Sequence, residues 1–456
     1  MPDNFLGTPA TAPGPMGPEM LKNFALIRRN PLEYLFKTWR SYGDVVQFPV
    51  PKPPSYLVNS ASGVRHVLVN NAKNYDKSTI QYKALSLVTG TGLLTADTEL
   101  WRTRRPIIQP AFHKKALDEL IPVTKAAADR ILATIDAKAT GTVTDLDPFM
   151  LASALEVVGE FLFGSDLTHD AHQITSATLD ALEVVIKRAR VPLSPPQSIP
   201  TPGNRVLKRS LSTLNGAVDS IVGTRSATPF NEDLIKDSKS TRNLVDYLLD
   251  ASSESKIDRD GIRDEIVTFI IAGHETVASA LSWSLALLAA HPEIQSAVAS
   301  EAQYANGDEL DSRLSQLPYT QAVFNETLRL YPPAWLITRK SLGGDSIDGY
   351  EIPSGALVIT SPALLHRHPD IWSDPDSFKP DRFLGSYPRE SFIPFGAGLR
   401  QCIGKDFAYV EGVITLAALC ERIEFSYPPG HGVPASDPLV TIRPVGGVKL
   451  RANRRS

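Results

Sequence analysis

The sequence predicts a mainly α fold with a small β-rich portion, an α+β class, and two patterns predict it. After Trp101, apolar residues recur at three- and four-residue spacing over most of the chain, which is the pattern of amphipathic helices. Beyond Tyr331 proline and glycine become frequent, and short β-like runs appear at 336–339, 357–360 and 439–442. The body of the fold is therefore expected to be helical, with strands concentrated near the two ends.

The N-terminal part predicts one helix followed by two strands. The segment Pro31–Tyr42 (PLEYLFKTWRSY) has helical spacing and stops at Gly43-Asp44. Runs rich in Val, Tyr and Leu at 45–49 and 55–59 predict strands. Before them, residues 1–20 are expected to form a flexible arm, and residues 21–456 a single domain, because no linker convincingly divides the rest.

The middle of the chain predicts a series of helices. Helical spacing covers 114–138 and 151–163, and a stretch with five prolines at 191–203 predicts a connection between two helices. The longest helical pattern runs from about Asp258 to Ala290 and stops at His291-Pro292. At ~1.5 Å per residue this helix spans roughly 50 Å, enough to cross a domain.

Charge and cysteine content exclude several classes of protein. The net charge of −3 over 456 residues provides no basic footprint for nucleic acid. Two cysteines argue against a disulfide framework and favour a reducing compartment. The first 20 residues contain no apolar run, so neither a signal peptide nor a membrane anchor is expected, and the protein should be cytoplasmic.

The segment around Cys402 (FIPFGAGLRQCIG) is the most informative part of the chain. Its glycines allow tight turns and a close approach of the backbone to a flat object. The helix expected from Phe407 directs its N-terminal dipole toward the sulfur, which should lower the thiol pKa and favour a metal-binding thiolate. A lone cysteine is more often a small core residue, which is our interpretation of Cys420.

The run Phe395-x-x-Gly398-x-Arg400-x-Cys402-x-Gly404 resembles the haem-binding loop of the cytochrome P450 family. The resemblance implies the fold of that family, with haem b between the long central helix and the helix after the loop. It implies that Cys402 ligates the iron, that Phe395 and Gly404 pack beside the loop, and that Arg400 contacts a haem propionate.

Other motifs continue the resemblance. Trp101 and Arg105 lie four residues apart on one predicted helix and resemble a propionate-binding pair, as does Arg339; Arg102 and Arg104 are interpreted as solvated surface charges. Glu326, Arg329 and Arg382 resemble a buried network that supports the haem pocket, although the first two alone would suit a surface ion pair.

The segment Ala272-Gly273-His274-Glu275-Thr276 lies midway along the long helix. A helical glycine costs about 1 kcal/mol relative to alanine, which suggests that something passes close to the backbone. Thr276 can bond the carbonyl of Ala272, and this alone could be its role. The resemblance is to the oxygen-binding groove of the family, in which Thr276 and Glu275 deliver protons to bound O2, with Ala272 and Gly273 at the cofactor.

The resemblance implies a monooxygenase that receives electrons from a ferredoxin or flavodoxin-type partner and its reductase, since the chain is too short to carry a reductase domain. A basic cluster is a hypothetical docking surface for that partner, with a merely solvated face as the alternative: Arg102, Arg104, Lys114, Lys115 and Lys405.

An apolar set predicts a lipophilic substrate such as a fatty acid, terpene or steroid, although the same residues could be ordinary core: Leu93, Leu94, Phe269, Ala272, Ala334, Trp335, Leu336, Ile337, Leu439 and Val440. The Glu-Thr pair with His274 resembles the fatty-acid-oxidising bacterial branch slightly more than the terpene branch. Three alternatives stay open: a peroxygenase or isomerase without a reductase, a non-catalytic haem sensor, and a cofactor-free helical binding protein.

Overall fold

The computed structural model describes residues 11–50, 52–139, 141–189, 195–227, 242–305 and 314–455. Its helices, in chain order, are α1 (Gly17–Lys22), α2 (Phe24–Arg29), α3 (Pro31–Tyr42), α4 (Ala61–Arg65), α5 (Ile80–Thr89), α6 (Thr98–Ile108), α7 (Lys114–Leu117), α8 (Leu120–Asp136), α9 (Asp147–Val158), α10 (Ala171–Ala189), α11 (Pro202–Ala227), α12 (Leu244–Ser253), α13 (Arg259–Ala290), α14 (Pro292–Tyr304), α15 (Pro318–Leu330), α16 (Pro362–Leu365) and α17 (Lys405–Arg422). The predicted predominance of helix is confirmed.

The strands, in chain order, are β1 (Val45–Phe48), β2 (Ser55–Val58), β3 (Tyr75–Asp76), β4 (Val143–Asp145), β5 (Ile337–Ser341), β6 (Asp345–Ile347), β7 (Tyr350–Ile352), β8 (Leu357–Thr360), β9 (Ile423–Ser426), β10 (Ser436–Pro438), β11 (Ile442–Pro444) and β12 (Lys449–Arg454). The main sheet has the order β1-β2-β8-β5-β3, in which only β2 and β8 run parallel. A smaller sheet has the order β4-β12-β9, and β6-β7 and β10-β11 are hairpins.

One predicted strand is wrong in position. Residues 439–442 were expected to be extended, but 439–441 form the tip of the β10-β11 hairpin, in which Pro438 pairs with Ile442. Val440 at the tip packs against the helical core, so an apolar residue here does not indicate a strand.

Helix α13 forms the centre of the molecule. Its start matches the predicted one, because the side chain of Asp258 caps it by accepting a hydrogen bond of 2.8 Å from the Gly261 amide. It ends at Ala290, and Pro292 begins α14. Helices α9, α15 and α17 pack around it. Length and composition would let α13 cross a membrane, but 83% of its most apolar stretch is buried, as in the core helix of a globular fold.

The N-terminal arm was expected to be flexible, but its described part, which begins at residue 11, packs against the rest of the protein. Ala12 is buried, and the Thr11 amide donates a hydrogen bond of 2.7 Å to Oε1 of Gln47 on β1. The Thr11 hydroxyl lies 2.7 Å from that of Tyr56 on β2. Residues 11–16 therefore pack on the edge of the main sheet and lead into α1, since their polar groups find partners there.

The predicted helical stretches divide more finely than expected. The pattern over 114–138 becomes α7 and α8, and that over 151–163 begins earlier as α9 and ends in a π-helical turn, Gly159–Phe163. The proline-rich connection lies between α10 and α11, although its residues 191–194 lie outside the described residues. Pro202 and Gly203 belong to the first turn of α11, where proline has no lost hydrogen bond.

Candidate active site

The loop that carries Cys402 turns at two glycines with left-handed backbone, Gly396 (φ 68°) and Gly398 (φ 69°). The Cys402 amide donates a hydrogen bond of 2.9 Å to the carbonyl of Phe395, which closes the loop. A Cβ on Gly398 would lie 2.1 Å from the carbonyl oxygen of Leu68. The close approach at this glycine is therefore to the protein itself, not to a flat ligand.

The Cys402 side chain is accessible although it lies deep among the surrounding elements. Burial raises the pKa of its thiol, while the amide of Gly404 and the cations Arg105 and Lys77 act in the opposite direction. The expectation that the helix start lowers this pKa is wrong in net direction, because desolvation outweighs the dipole and the cations.

Aromatic rings pack on both sides of the loop. The ring of Phe395 lies 5.3 Å from that of Tyr409 on α17. Phe112, which follows α6, lies near Gly404: its Cε1 would be 3.7 Å from a Cβ there. Its ring is 5.5 Å from that of Phe269 on α13, so Phe112 connects the loop with the central helix. The sequence offered no signal for Phe112.

Four cationic side chains lie close enough to influence one another: Lys77, Arg105, Arg339 and Arg400. Burial together with Arg339 and Arg400 holds the pKa of Lys77 well below its usual range, and burial together with Arg339 lowers that of Arg400 to about 10. Burial also lowers the pKa of Arg105, against the influence of Cys402. The sequence predicted the three arginines but missed Lys77, which stands far from every motif.

These cations have backbone acceptors rather than acidic ones. Lys77 donates to the Leu94 carbonyl (2.9 Å), Arg105 to that of Gln401 (3.2 Å), Arg339 to that of Thr338 (2.9 Å) and Arg400 to that of Ala96 (3.2 Å). None forms an ion pair within the described ranges. Cations of like charge that gather in a partly buried site require an anionic counterpart, and the two carboxylates of a haem supply one. The residues present therefore fit the haem that the sequence implies.

The predicted Trp101 belongs to the same cluster. The guanidinium of Arg400 lies over its indole ring, 4.5 Å from the ring centroid. This cation–π contact holds the side chain of Arg400 in one orientation. Trp101 and Arg105 are one turn apart on α6, so the helix presents both toward the cysteine loop.

On α13, the Thr276 hydroxyl donates a hydrogen bond of 2.6 Å to the carbonyl of Ala272. Both residues are half-buried, so this face of the helix is accessible. A Cβ on Gly273 would lie 2.7 Å from Cγ2 of Val158. The close approach that the glycine allows is therefore that of α9, and the absence of a side chain there serves helix packing.

The neighbouring Glu275 points elsewhere, toward the β10-β11 hairpin. Its Oε1 accepts a hydrogen bond of 2.9 Å from the Thr441 hydroxyl. Burial raises the pKa of Glu275, against the lowering influence of Arg443 and Thr441. Glu275 and Thr276 are thus adjacent in the chain but face different surroundings. No pattern in the sequence pointed to Thr441 or Arg443.

His274 is fully buried, and its Nε2 lies 3.3 Å from the Thr175 hydroxyl on α10. Burial lowers the pKa of His274 to about 3, with Arg443 acting in the same direction. The imidazole is therefore neutral at ordinary pH. It connects α13 with α10 and has no acid–base role at neutral pH.

Glu326, Arg329 and Arg382 come together as predicted. Arg329 donates two hydrogen bonds to Glu326, of 2.7 and 2.8 Å, with both side chains fully buried, and Arg382 adds a third of 3.0 Å. Arg329 also donates to the carbonyl of His366 (2.7 Å), whose Nε2 accepts from the Ile393 amide (2.9 Å). The network thus reaches the segment that leads into the cysteine loop, and His366 is a link that the sequence did not reveal.

The predicted substrate-lining residues divide into two groups. Leu93, Phe269 and Trp335 are buried in the main core, so packing explains them without a ligand. The more accessible members are Leu94, Ala334, Leu336, Ile337, Leu439 and Val440. Trp335 donates a hydrogen bond of 2.9 Å from Nε1 to the Leu439 carbonyl, which brings the 334–337 segment and the hairpin tip together.

One interpretation of a charged residue is wrong. Arg104 is not a solvated surface charge: it is buried and forms an ion pair of 2.9 Å with Glu265 on α13. Arg102 is exposed as expected and pairs with Glu99. Arg104 therefore does not belong to the basic surface cluster, because its helical position, three residues beyond Trp101, directs it into the core.

Comparison with known proteins agrees with this site. The family model described as cytochrome P450 matches residues 12–450. The chain is 32% identical to cyclooctat-9-en-7-ol 5-monooxygenase of Streptomyces melanosporofaciens, over 93% of this chain and 91% of that protein. It is 29% identical to pentalenene oxygenase of Streptomyces avermitilis (98% and 97%) and 30% identical to protein LUTEIN DEFICIENT 5, chloroplastic, of Arabidopsis thaliana (92% and 74%). A match of this extent, joined to the cysteine loop and its cations, makes the chain a member of the cytochrome P450 family of haem monooxygenases.

Proposed function

We propose that the protein inserts one atom of O2 into a terpene-like hydrocarbon, with electrons from a separate redox protein. The observation that carries this proposal is the set of four cations around the accessible Cys402 thiol, none of which forms an ion pair with another described residue. Such a set suits a dianionic cofactor whose metal takes a sulfur ligand. The terpene-like substrate and the separate redox protein go beyond family membership.

The group that fits is haem b. Cys402 would ligate the iron, and Lys77, Arg105, Arg339 and Arg400 would neutralise the propionates. When bound, haem supplies the activation of O2 and the oxidation of the substrate. In this family a cysteine thiolate is the iron ligand that supports this chemistry. The protein supplies orientation and exclusion of water, together with protons.

Thr276 and Glu275 are proposed to supply the protons. The Thr276 hydroxyl donates its hydrogen to the Ala272 carbonyl on the accessible face of α13, so its oxygen can accept a hydrogen bond there. Burial raises the pKa of Glu275, which is the direction that a general acid requires.

The proposed substrate class rests on two observations. The accessible lining, represented by Leu94, Leu336 and Val440, is apolar and carries no charge. Two relatives that match over more than nine-tenths of this chain are named for the oxidation of cyclooctat-9-en-7-ol and pentalenene, both terpenes. These names favour a terpene over the fatty acid toward which the Glu-Thr pair slightly pointed.

The electron donor is proposed to be a ferredoxin or flavodoxin-type protein in the cytoplasm. Helix α7, which carries Lys114 and Lys115, contacts α17, which begins at Lys405 near Cys402. This basic surface would attract an acidic partner. Reversal of Lys114 and Lys115 to Glu should slow the first electron transfer at low salt, whereas Lys208→Glu on α11 should not; equal rates in all three proteins would contradict the docking surface.

Among the alternatives, a peroxygenase or a haem sensor has less support. Neither would require Thr276 on the accessible face of α13 together with a buried acid beside it. A cofactor-free binding protein would leave the four cations without an anionic counterpart.

The deciding experiment is the absorbance spectrum of the reduced protein with carbon monoxide. A strongly red-shifted Soret band is expected, and Cys402→Ser should abolish it, whereas Cys420→Ser, a buried core position, should retain it. Product formation from pentalenene, with a surrogate ferredoxin and its reductase, tests the substrate class. An unshifted band, or a band that survives in Cys402→Ser, would refute the ligand assignment.

A further inference from the structure

The tip of the β10-β11 hairpin is held on two sides. On one side, Trp335 donates its indole hydrogen bond to the Leu439 carbonyl. On the other, the Thr441 hydroxyl donates to Glu275 of α13. The Leu439 amide donates to the Thr441 carbonyl at 3.0 Å, so the three tip residues form one compact turn. Leu439 and Val440, two of the accessible apolar residues, are therefore joined to the carboxyl of Glu275 by a short covalent and hydrogen-bonded path.

The residue after the tip is fixed independently. The carbonyl of Ile442 accepts hydrogen bonds from Ser279 (2.7 Å) and from the indole of Trp283 (2.9 Å), both on α13. The hairpin base is therefore attached to the central helix without Glu275. Because of this anchor, loss of the Thr441 hydroxyl would change the carboxyl environment without detaching the hairpin.

The charged groups that act on Glu275 are Arg443 of β11 and Asp147 of α9. Arg443 is buried on β11 and pairs with Asp147 at the start of α9, at 2.5 Å, and Ser282 donates to the other oxygen of Asp147. Nη1 of Arg443 is buried without a hydrogen-bond partner in the described part of the chain. Since Asp147 holds Arg443, the direct hydrogen bond to the Glu275 carboxyl that the structure contains comes from Thr441.

We infer that Thr441 is a positioning residue for Glu275, which holds the carboxyl in one rotamer and ties it to the hairpin tip that carries Leu439 and Val440. This inference rests on the proposed proton-delivery role of Glu275. A glutamate has several rotatable bonds, and a single donor in a buried site selects one orientation of its carboxyl. A substrate that displaces the tip would change this hydrogen bond. Contact between a substrate and Val440 would therefore alter the position of the Glu275 carboxyl.

Two substitutions at Thr441 separate the hydroxyl from the shape of the side chain. Thr441→Val removes the donor at nearly constant volume, and Thr441→Ser retains it. Ser279→Ala is the matched control, because it removes another hydrogen bond between the same hairpin and the same helix without contact with Glu275. Unchanged thermal midpoints and carbon monoxide spectra would establish that each variant folds and binds haem.

The first readout is the infrared band of the Glu275 carboxyl, assigned by its loss in Glu275→Gln. Thr441→Val should move this band to higher frequency, because a carbonyl that loses a hydrogen bond stiffens, whereas Thr441→Ser and Ser279→Ala should leave it in place. A band at the same frequency in Thr441→Val would overturn the inference.

The second readout is the hydrogen peroxide released per NADPH oxidised, with a surrogate ferredoxin and its reductase. Thr441→Val should raise peroxide release severalfold, up to about tenfold, and should add nothing in the Glu275→Gln background. If Glu275→Gln itself leaves peroxide release unchanged, the proposed function of Glu275 fails. If Glu275→Gln raises it but Thr441→Val does not, only the positioning role fails.

Discussion

Arg104 of α6 and Glu265 of α13 form a buried ion pair, with 2.9 Å between Nη1 and Oε1. The second carboxylate oxygen of Glu265 accepts a hydrogen bond of 2.9 Å from the Leu93 amide. One buried carboxylate therefore joins the central helix to α6, which carries Trp101 and Arg105, and to the segment with Leu93 and Leu94. Burial raises the pKa of Glu265, and the Leu93 amide and Arg104 counter this effect.

Removal of one partner should be costly, because it leaves an unpaired charge in the interior. We expect Arg104→Met to lower the free energy of unfolding by about 3 kcal/mol, measured by urea denaturation. Arg102→Met is the matched control on the same helix: its pair with Glu99 is exposed, so the loss should stay below about 1 kcal/mol. Similar losses in the two variants would contradict the buried pair as a structural element.

The sequence predicted α13 and α3 almost residue by residue, because both have clear stop signals: His291-Pro292 after one and Gly43 after the other. The cysteine loop and the Glu326–Arg329–Arg382 network were predicted from the resemblance to the cytochrome P450 family. The path of the chain between motifs was not predictable in the same way, since the partners of Glu265, Glu275 and His366 come from distant segments.

Lys77 illustrates what spacing cannot show. It lies in an irregular segment after β3, and only the folded chain brings it near Arg339 and Arg400. The interpretation of Arg104 failed for a related reason, because a helical position alone does not tell which side of the helix is buried when charged residues occupy both sides. Charged residues that pair over long distances are the positions at which local patterns carry least information.

Lys77 should contribute to the retention of haem. Its ammonium is buried among like charges and contacts the Tyr82 ring at 4.9 Å, so an anionic ligand should be held more strongly with Lys77 than without it. We expect Lys77→Met to lose haem to apomyoglobin about tenfold faster than the unchanged protein, and Lys77→Arg to lie between them. Lys83→Met, on α5, should have no effect; equal rates for Lys77→Met and Lys83→Met would remove Lys77 from the site.

The buried, neutral His274 should make the protein less stable at acidic pH. Its folded pKa is about 3, below the ordinary value of 6.5, so the unfolded chain binds more protons between these values. Stability from the neutral imidazole is therefore present above about pH 6.5 and is lost as the pH falls toward 3. Relative to His274→Leu, the unchanged protein should lose about 1.4 kcal/mol per pH unit across this window. Urea denaturation at pH 7.0, 6.0 and 5.0 measures the difference, with the exposed His431→Leu as control; a constant difference would contradict the burial of a neutral histidine.

Glu411 on α17 should have the opposite effect, so that the stability of the protein falls as the pH rises. Both of its carboxylate oxygens are buried without a hydrogen-bond partner among the described residues, and burial raises its pKa well above the ordinary value. The folded protein therefore holds a proton that the unfolded chain releases, and stability falls as the pH rises above the unfolded pKa of about 4.3.

The neutral Glu411→Gln lacks this dependence, so its stability relative to the unchanged protein should increase from pH 5 to pH 8. The slope of this increase should be at most about 1.4 kcal/mol per pH unit. Glu424→Gln, on the exposed face of β9, should show no such trend. A Glu411→Gln difference that stays flat with pH would mean that the carboxyl finds a partner or solvent in the folded protein.

Substitution of Gly273 tests whether this glycine is needed for the close packing of α9 on α13. Alanine is favoured over glycine in a helix by about 1 kcal/mol, yet a Cβ at position 273 would lie 2.7 Å from Cγ2 of Val158 on α9. Overpacking of this kind costs about 1–3 kcal/mol, so Gly273→Ala should be destabilising in thermal and urea unfolding. Val158→Ala in the same chain should recover much of that loss, because it removes the atom that clashes.

The matched control is Gly216→Ala on α11, where nothing lies within 4 Å of the Cβ that the substitution would add. This variant should stabilise the protein by about 0.5–1 kcal/mol. If Gly273→Ala behaves like Gly216→Ala, the approach of α9 does not explain the glycine, and the accessible face of α13 near Thr276 becomes its reason.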